Sequence, residues 1–462
     1  MNNTINKIVG IQKSDFDNFV ANGITLRPAR LIPIYKPGDE IALTSVFLAS
    51  LRLIQEFKKS FFSEVKLINS GEIYLYTEVA FPQFKDCRLD GLIIVVKGGE
   101  IKDAAILEMK NKNSLLEQNQ IEKYIHIARE LNIPKIITVS NEFVSEPTQS
   151  PLNIRVPKSI QMFHFSWSYI LTLAHILLFE NDNNIKDEDQ VEIMKEVVAY
   201  FENSVTGVCG FTQMKAGWTE LVDKINSGVS LKQADPCVID TVSSWQQEEK
   251  DMALILSRKL GVIVQSGDTR FKGDLKARIE NDSKILIENK RLSSILGVKG
   301  AVSEISIKAL FEKRIIEMSV KLNIPLDKGV KGQIGWLKRQ IDYCSRTRPK
   351  IFNKIYDDLK IDINIKHARV NERVSYKRLD EIFENLKSKE INEFEIVQVK
   401  DFGKSFSSRK KFVEIIEEML IEFYAGIVQH LSKWEKPAPK ISEEKIVPEE
   451  GNINSEKEES GF

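Results

Sequence analysis

The chain has 462 residues, 42% of them hydrophobic and 29% charged, which is the balance of a soluble globular protein with two or three domains. This excludes a collagen-like, low-complexity or wholly disordered chain. Lys+Arg and Asp+Glu each total 66, so the formal net charge is zero, and any surface made for a polyanion must be local.

Cys87, Cys209, Cys237 and Cys344 lie far apart with no CxxC pair, which fits a reducing cytoplasm and gives no zinc or dithiol signature. The first residues lack the apolar core of a secretory signal. Tyr169 to Phe179 is the most apolar later stretch; it is too short to span a bilayer and carries His175. The expectation is a cytoplasmic protein with no membrane partner.

In chain order, residues 1–43 form an N-terminal extension broken by Pro28, Pro33 and Pro37. A helix is predicted from Thr44 or Ser45, with Phe47, Leu51, Ile54, Phe57 and Phe61 at helical spacing. Strands are predicted at Ile73–Phe81, Arg88–Val96 and Ala104–Lys110, with Gly98-Gly99 as a hairpin turn. Leu115 to Leu131 is helical, KIITVS and IQMFHF are strands, and Ser166 caps a further helix to about Glu180. This mixed α/β domain covers residues 44–182, and the polar run Glu180–Asp189 is its linker.

Residues 190–435 read as a second domain, mixed but mainly helical. Gly261 to Leu292 is expected to form a small antiparallel sheet. Ile307–Leu322, Gly332–Tyr343 and Arg409–Leu431 are expected to be helices. Residues 436–462 are an acidic, apolar-poor tail expected to be disordered.

The chemistry-bearing residues are Asp90, Glu108 and Lys110. Alternation along a strand puts Glu108 and Lys110 on one face and Leu107 and Met109 on the other. Asp90 stands nine residues before Gly99 and Glu108 nine after it, so the hairpin sets the two acids opposite each other. Two carboxylates, with the Met109 carbonyl, can hold Mg²⁺ or Mn²⁺ through oxygen. An ammonium beside them can orient a water or offset charge on a phosphate.

This pattern resembles the PD-(D/E)XK nuclease superfamily, the restriction-endonuclease-like fold. Arg88-Leu89-Asp90 matches the first motif without its usual proline, and Glu108-Met109-Lys110 matches the second. Gln120-Ile121-Glu122-Lys123-Tyr124 is similar to the QxxxY motif of RecB-type members, and its ends share one helix face. The segment FHFSWSYI is similar to a strand-to-helix junction of bacterial nucleases of this type. The resemblance covers about a third of the chain. It implies an αβββαβ core, Asp90 and Glu108 as metal ligands, Lys110 beside the attacking water, and Gln120 organising the site. It further implies an auxiliary acid, for which Glu78 is preferred over Glu56 and Glu64. The implied activity is a magnesium-dependent DNA endonuclease, cutting double-stranded DNA in restriction or anti-phage defence. Cutting both strands favours a homodimer or larger homo-oligomer.

The competing reading is a nuclease fold kept as an inactive nucleic-acid-binding or regulatory module. Isolated acids at strand ends are commonly only solvated, Lys110 can serve as an edge-strand lysine, and Tyr124 lies on an apolar stripe. The five histidines show no ligand spacing. Gly403-Lys404-Ser405 lacks the first glycine of a phosphate loop and reads as a tight turn. From Lys328 to Lys350, seven cations face Asp342 alone, a local balance of 7 − 1 = +6. Lys331, Lys338, Arg339, Arg346 and Arg348 are the candidate nucleic-acid contacts, with Trp336 and Tyr343 interleaved. A solvated amphipathic helix explains the same run, and Lys400–Lys411 has the same ambiguity.

Overall fold

The computed structural model describes Ile32 and residues 38–435, apart from 82, 85–86, 112–113, 145, 180–184, 268–270, 272–273 and 388. The expected disordered tail and almost all of the N-terminal extension lie outside the described residues. The chain is a mixed α/β protein with two sheets.

The first unit opens with α1 (Glu40–Leu53) and α2 (Gln55–Glu64). The expected single helix is therefore two, and it starts earlier, because Asp39 and not Thr44 caps it by accepting the Ala42 N–H. Next come β1 (Glu72–Ala80), β2 (Arg88–Lys97), β3 (Glu100–Met109), α3 (Gln118–Glu130), β4 (Lys135–Ser140), β5 (Gln161–Ser166) and α4 (Trp167–Leu178). The sheet order is β1-β2-β3-β4-β5. The first three strands are antiparallel, and α3 carries the chain over to β4 and β5, which run parallel to β3.

Side-chain alternation splits this sheet between two cores. Ile93, Val95, Ala105, Leu107 and Met109 pack against α1, α2 and α4, around Phe47, Phe61 and Trp167. Leu89, Leu92, Ala104 and Ile106 pack against α3, around Tyr124, Ile127 and Ala128. Helix α5 (Glu188–Phe201), expected to belong to the second domain, buries Met194, Val197 and Phe201 in the first of these cores. The first unit therefore continues past the expected linker.

The hairpin between β2 and β3 sets the register of the site. Gly98 and Gly99 both have positive φ, 65° and 78°, as a two-residue turn of this hand requires. Beside the turn Lys97 faces Glu100 and Val96 faces Ile101, but Val95 faces Asp103. Lys102 is thus an extra, bulged residue, and beyond it Gly91 faces Leu107. Without the bulge the short turn would set Asp90 opposite Leu107 and separate the acids.

The second unit contains α6 (Gly217–Asn226), α7 (Pro236–Leu260), β6 (Gln265–Ser266), α8 (Leu275–Asn289), β7 (Arg291–Gly297), β8 (Ile305–Leu310), β9 (Ile315–Asn323), α9 (Val330–Thr347), α10 (Pro349–Ile355), β10 (Leu359–Ile365), β11 (Glu372–Ser375), α11 (Phe383–Leu386), β12 (Ile391–Asp401) and α12 (Arg409–Gly426). The unit is mixed and richer in helix than in strand, as expected, but its antiparallel sheet is not small: it has seven strands in the order β11-β10-β12-β9-β8-β7-β6. Within Gly261–Leu292, expected as strands, Leu275–Asn289 is helix α8. Ile307–Leu322, expected as a helix, is a hairpin. There Ile305, Ile307 and Ala309 pair along β8 with Val320, Met318 and Ile316 of β9, all buried, so a period of two wins over a coincidental helical spacing. The helices at Gly332–Tyr343 and Arg409–Leu431 form as expected, the latter ending at Gly426.

Helix α7 joins the units. Asp251 accepts from Ser168 Oγ at 2.6 Å and from the Phe211 N–H at 2.6 Å, and Arg258 donates to Ser168 Oγ at 2.8 Å and Thr172 Oγ1 at 3.1 Å. No helix among the described residues is long and apolar enough to cross a membrane.

Candidate active site

Asp90, Glu108, Lys110 and Gln120 come together where β2, β3 and α3 meet. Asp90 Oδ2 accepts the Met109 N–H at 3.0 Å, which ties the two strands beyond their last paired residues. Glu108 is fully buried. Its Oε2 accepts from Gln120 Nε2 at 3.0 Å, and Lys110 Nζ lies 2.7 Å from its Oε1. Oε1 is itself buried and is paired with that ammonium. Burial, then the neighbouring charge of Asp90, pushes the Glu108 carboxyl up to about 7. Burial also raises Asp90, although the Met109 N–H and Lys110 oppose it. Burial works to lower Lys110, but Glu108, Asp90 and Glu40 prevail and hold it above its ordinary value.

The supports come from separate elements. The Tyr124 hydroxyl, on α3, donates to the Arg88 carbonyl at 3.0 Å and accepts the Asp90 N–H at 3.2 Å. At Asp90 the β2–β3 pairing has stopped, at Gly91–Leu107, and the β1–β2 pairing passes from Thr77–Gly91 to Val79–Leu89. The hydroxyl therefore serves backbone groups that the sheet ladder leaves open. Burial and then the charges of Glu108 and Asp90 raise its own pKa, which keeps it a neutral donor. The Lys110 N–H donates to the Val139 carbonyl at 2.8 Å, and Trp167 Nε1 donates to the Lys110 carbonyl at 2.7 Å. The FHFSWSYI junction thereby anchors the lysine.

Sequence reasoning missed Glu40, at the start of α1. Its Oε2 lies 3.9 Å from Lys110 Nζ, and its Oε1 accepts the Asn111 N–H at 3.3 Å. Its signal was the Asp39-Glu40 pair at a helix start, hidden by placing that start four residues later. Glu78, preferred as the auxiliary acid, has a left-handed φ of 57° and pairs with Arg88 at 2.8 Å. Its skipped position in the β1–β2 ladder breaks the alternation on which that preference rested. Glu56 buries an oxygen without a partner, and Glu64 lies beside Tyr169.

Met109 buries its side chain in the core, opposite the acids. No group of three His, Cys, Asp or Glu side chains gathers as a metal site among the described residues. The acidic donors here are the pair Asp90 and Glu108, with Glu40 behind Lys110. Their hard oxygens suit Mg²⁺ or Mn²⁺ rather than zinc, and such an ion would share Glu108 with the Lys110 ammonium. His164 is buried, bonded to Thr138 Oγ1 at 2.8 Å and the Glu142 carbonyl at 2.9 Å, and burial lowers it to about 4. It is a structural residue.

In the basic run, Lys331, Arg339, Arg346 and Arg348 are exposed, while Lys338 pairs with Asp380. Trp336 is buried and packs edge-on to Trp434. Arg339, exposed Tyr343 and Arg346 follow one another at spacings of four and three, so they form one stripe on α9. No protein-family model and no curated protein matches the chain.

Proposed function

We propose that the chain is a metal-dependent nuclease of the PD-(D/E)XK type, a DNA endonuclease serving restriction or anti-phage defence. One observation carries the reading. Asp90, Glu108 and Lys110 converge on one sheet face, with Asp90 bound to the Met109 N–H and Lys110 Nζ 2.7 Å from buried Glu108. The strand order, with α3 between β3 and β4, agrees with a restriction-endonuclease-like core.

Asp90 and Glu108 would hold Mg²⁺ or Mn²⁺. The chemistry such an ion supplies is activation of a water and neutralisation of charge on the scissile phosphate. Gln120 fixes the rotamer of Glu108 and Tyr124 fixes the backbone of Asp90, so neither acid must reorganise. Lys110 stays protonated among three acids and would orient a water or stabilise a phosphate oxygen. The Arg339–Tyr343–Arg346 stripe offers salt-sensitive contacts to a duplex backbone. A second copy of the chain would supply the site for the other strand.

The test is incubation of purified protein with plasmid and Mg²⁺ or Mn²⁺, beside Asp90→Ala and Lys110→Ala. Cleavage by the wild type alone supports the enzyme. Retained DNA binding without cleavage, across metals and across DNA and RNA, replaces it with a binding module.

A further inference from the structure

A cleft of about 520 Å³ lies at the seam of the two units, apart from the acids of the active site. The first unit contributes Glu142 and Phe143, just after β4, and the second contributes Phe211, Gln213, Lys215 and Gln247. Its walls are tied together. Asn141 Nδ2 donates to the Gly207 carbonyl at 2.9 Å, and Asn141 Oδ1 accepts the Cys209 N–H at 3.1 Å. Gln247 Nε2 reaches the Phe143 carbonyl at 3.4 Å. A cavity of this size, part apolar with a few converging polar groups, is a small-molecule site in form.

Its chemistry narrows the occupant. Phe143 and Phe211 meet edge to face, with centroids 6.0 Å apart, and give a flat ring something to lie against. A carboxyl and amide side chains beside them offer both donors and acceptors, which the edge of a nucleobase requires. Lys215 Nζ donates to Ser243 Oγ at 3.0 Å and forms no ion pair with a described residue, so one cation remains for an anionic group. Ring, mixed donor edge and phosphate together describe a nucleotide.

We propose that this cleft binds a nucleotide, with its base beside Phe211 and Glu142 and its phosphate at Lys215. The same chemistry arises from a free nucleotide or from a base turned out of a bound strand. Occupancy would be felt at the active site. Glu142 Oε2 accepts the Leu116 N–H at 3.3 Å, and Leu116 lies in the segment that joins Lys110 to the helix carrying Gln120.

Binding is measured on the full chain with EDTA present, so failure of the nuclease reading leaves the result intact. AMP, GMP, ribose 5-phosphate and a ten-nucleotide single strand are titrated by calorimetry. The thiol of Cys209, exposed on the cleft lining, is followed by its rate of alkylation. One saturable site for a nucleoside monophosphate is expected, with protection of Cys209. Lys215→Ala should weaken it about tenfold, as loss of one phosphate contact implies, and Lys215→Arg should restore it. Saturation by the oligonucleotide alone, equally sensitive to Lys215, assigns the base to a bound strand. No saturation by any nucleotide probe, or equal binding by Lys215→Ala, overturns the proposal. Ribose 5-phosphate matching AMP and GMP also overturns it, because the base would then contribute nothing.

Discussion

Tyr124→Phe removes one oxygen and leaves the ring, so it isolates the bridge between α3 and β2. The Tyr124 hydroxyl accepts the Asp90 N–H and donates to the Arg88 carbonyl, at 3.2 and 3.0 Å, where the sheet supplies neither partner. The residue is fully buried, so water does not replace the lost bonds without opening the site. An unsatisfied buried backbone group costs about 1–3 kcal/mol, and here there are two, giving about 2–4 kcal/mol after partial relaxation. A buried phenol on a purely apolar stripe would instead be neutral or stabilised by loss of its hydroxyl. Urea denaturation of the full chain at constant pH reads the difference, with Ile121→Val as a packing control on the same helix face, expected to lose about 1 kcal/mol. Asp90 should also loosen, so Mn²⁺ affinity should fall in Tyr124→Phe and hold in Ile121→Val. A Tyr124→Phe protein within about 0.5 kcal/mol of wild type, with unchanged Mn²⁺ affinity, would refute the bridging role.

Glu108 ionises near 7 in the folded chain against an ordinary 4.5. Its folded value is the higher one, so its contribution is complete below pH 4.5 and is lost as pH rises to about 7, a total near 3 kcal/mol; stability curves of wild type and Glu108→Gln should converge in acid and separate by pH 8, and parallel curves would reject the shift. Deleting the bulged Lys102 keeps every pair beyond it, Val95–Asp103 to Gly91–Leu107, so the variant should fold and keep its Mn²⁺ affinity. Deleting Ala105 instead moves Glu108 off Asp90 and should abolish that affinity; equal behaviour of the two deletions contradicts the register argument. Arg339→Ala and Arg346→Ala should each lower the salt dependence of DNA affinity by about one phosphate contact, read as the slope of log K against log salt, whereas paired Lys338→Ala should change it less.

Much of the first sheet was legible because its signals are local. Gly98-Gly99, the β-branched runs on either side and the Glu108-Met109-Lys110 alternation act within a few residues of one another. The nine-and-nine spacing about Gly99 gave the observed opposition of the acids, yet a two-residue turn is centred between Gly98 and Gly99 and predicts one residue less. The bulge at Lys102 makes up the difference, and nothing in Glu100-Ile101-Lys102 announces it. Glu40 was missed and the face of Glu78 was misread for the same kind of reason. Glu78 breaks its strand's alternation with a positive φ that glutamate rarely adopts, and Glu40 depends on where a cap forms. The second unit was read least well. In β8 and β9 every third or fourth residue is apolar as well as every second, and the choice between periods was made by partner strands far away in sequence, with β9 bound to β12 from Glu393 to Asp401.

The site's two acids are held by neutral donors, the Met109 N–H and the Gln120 amide, as well as by the Lys110 ammonium. That arrangement has a consequence for folding. A cluster ordered only by a cation would collapse or splay without it, since Asp90, Glu108 and Glu40 repel one another around a single lysine. Here the geometry is set by the sheet, by α3 and by the Trp167 contact to Lys110, and burial, followed by the charge of Asp90, raises the affinity of Glu108 for a proton. A proton on Glu108 is thus the inexpensive way to quiet the repulsion, and a divalent cation would compete for the same oxygen.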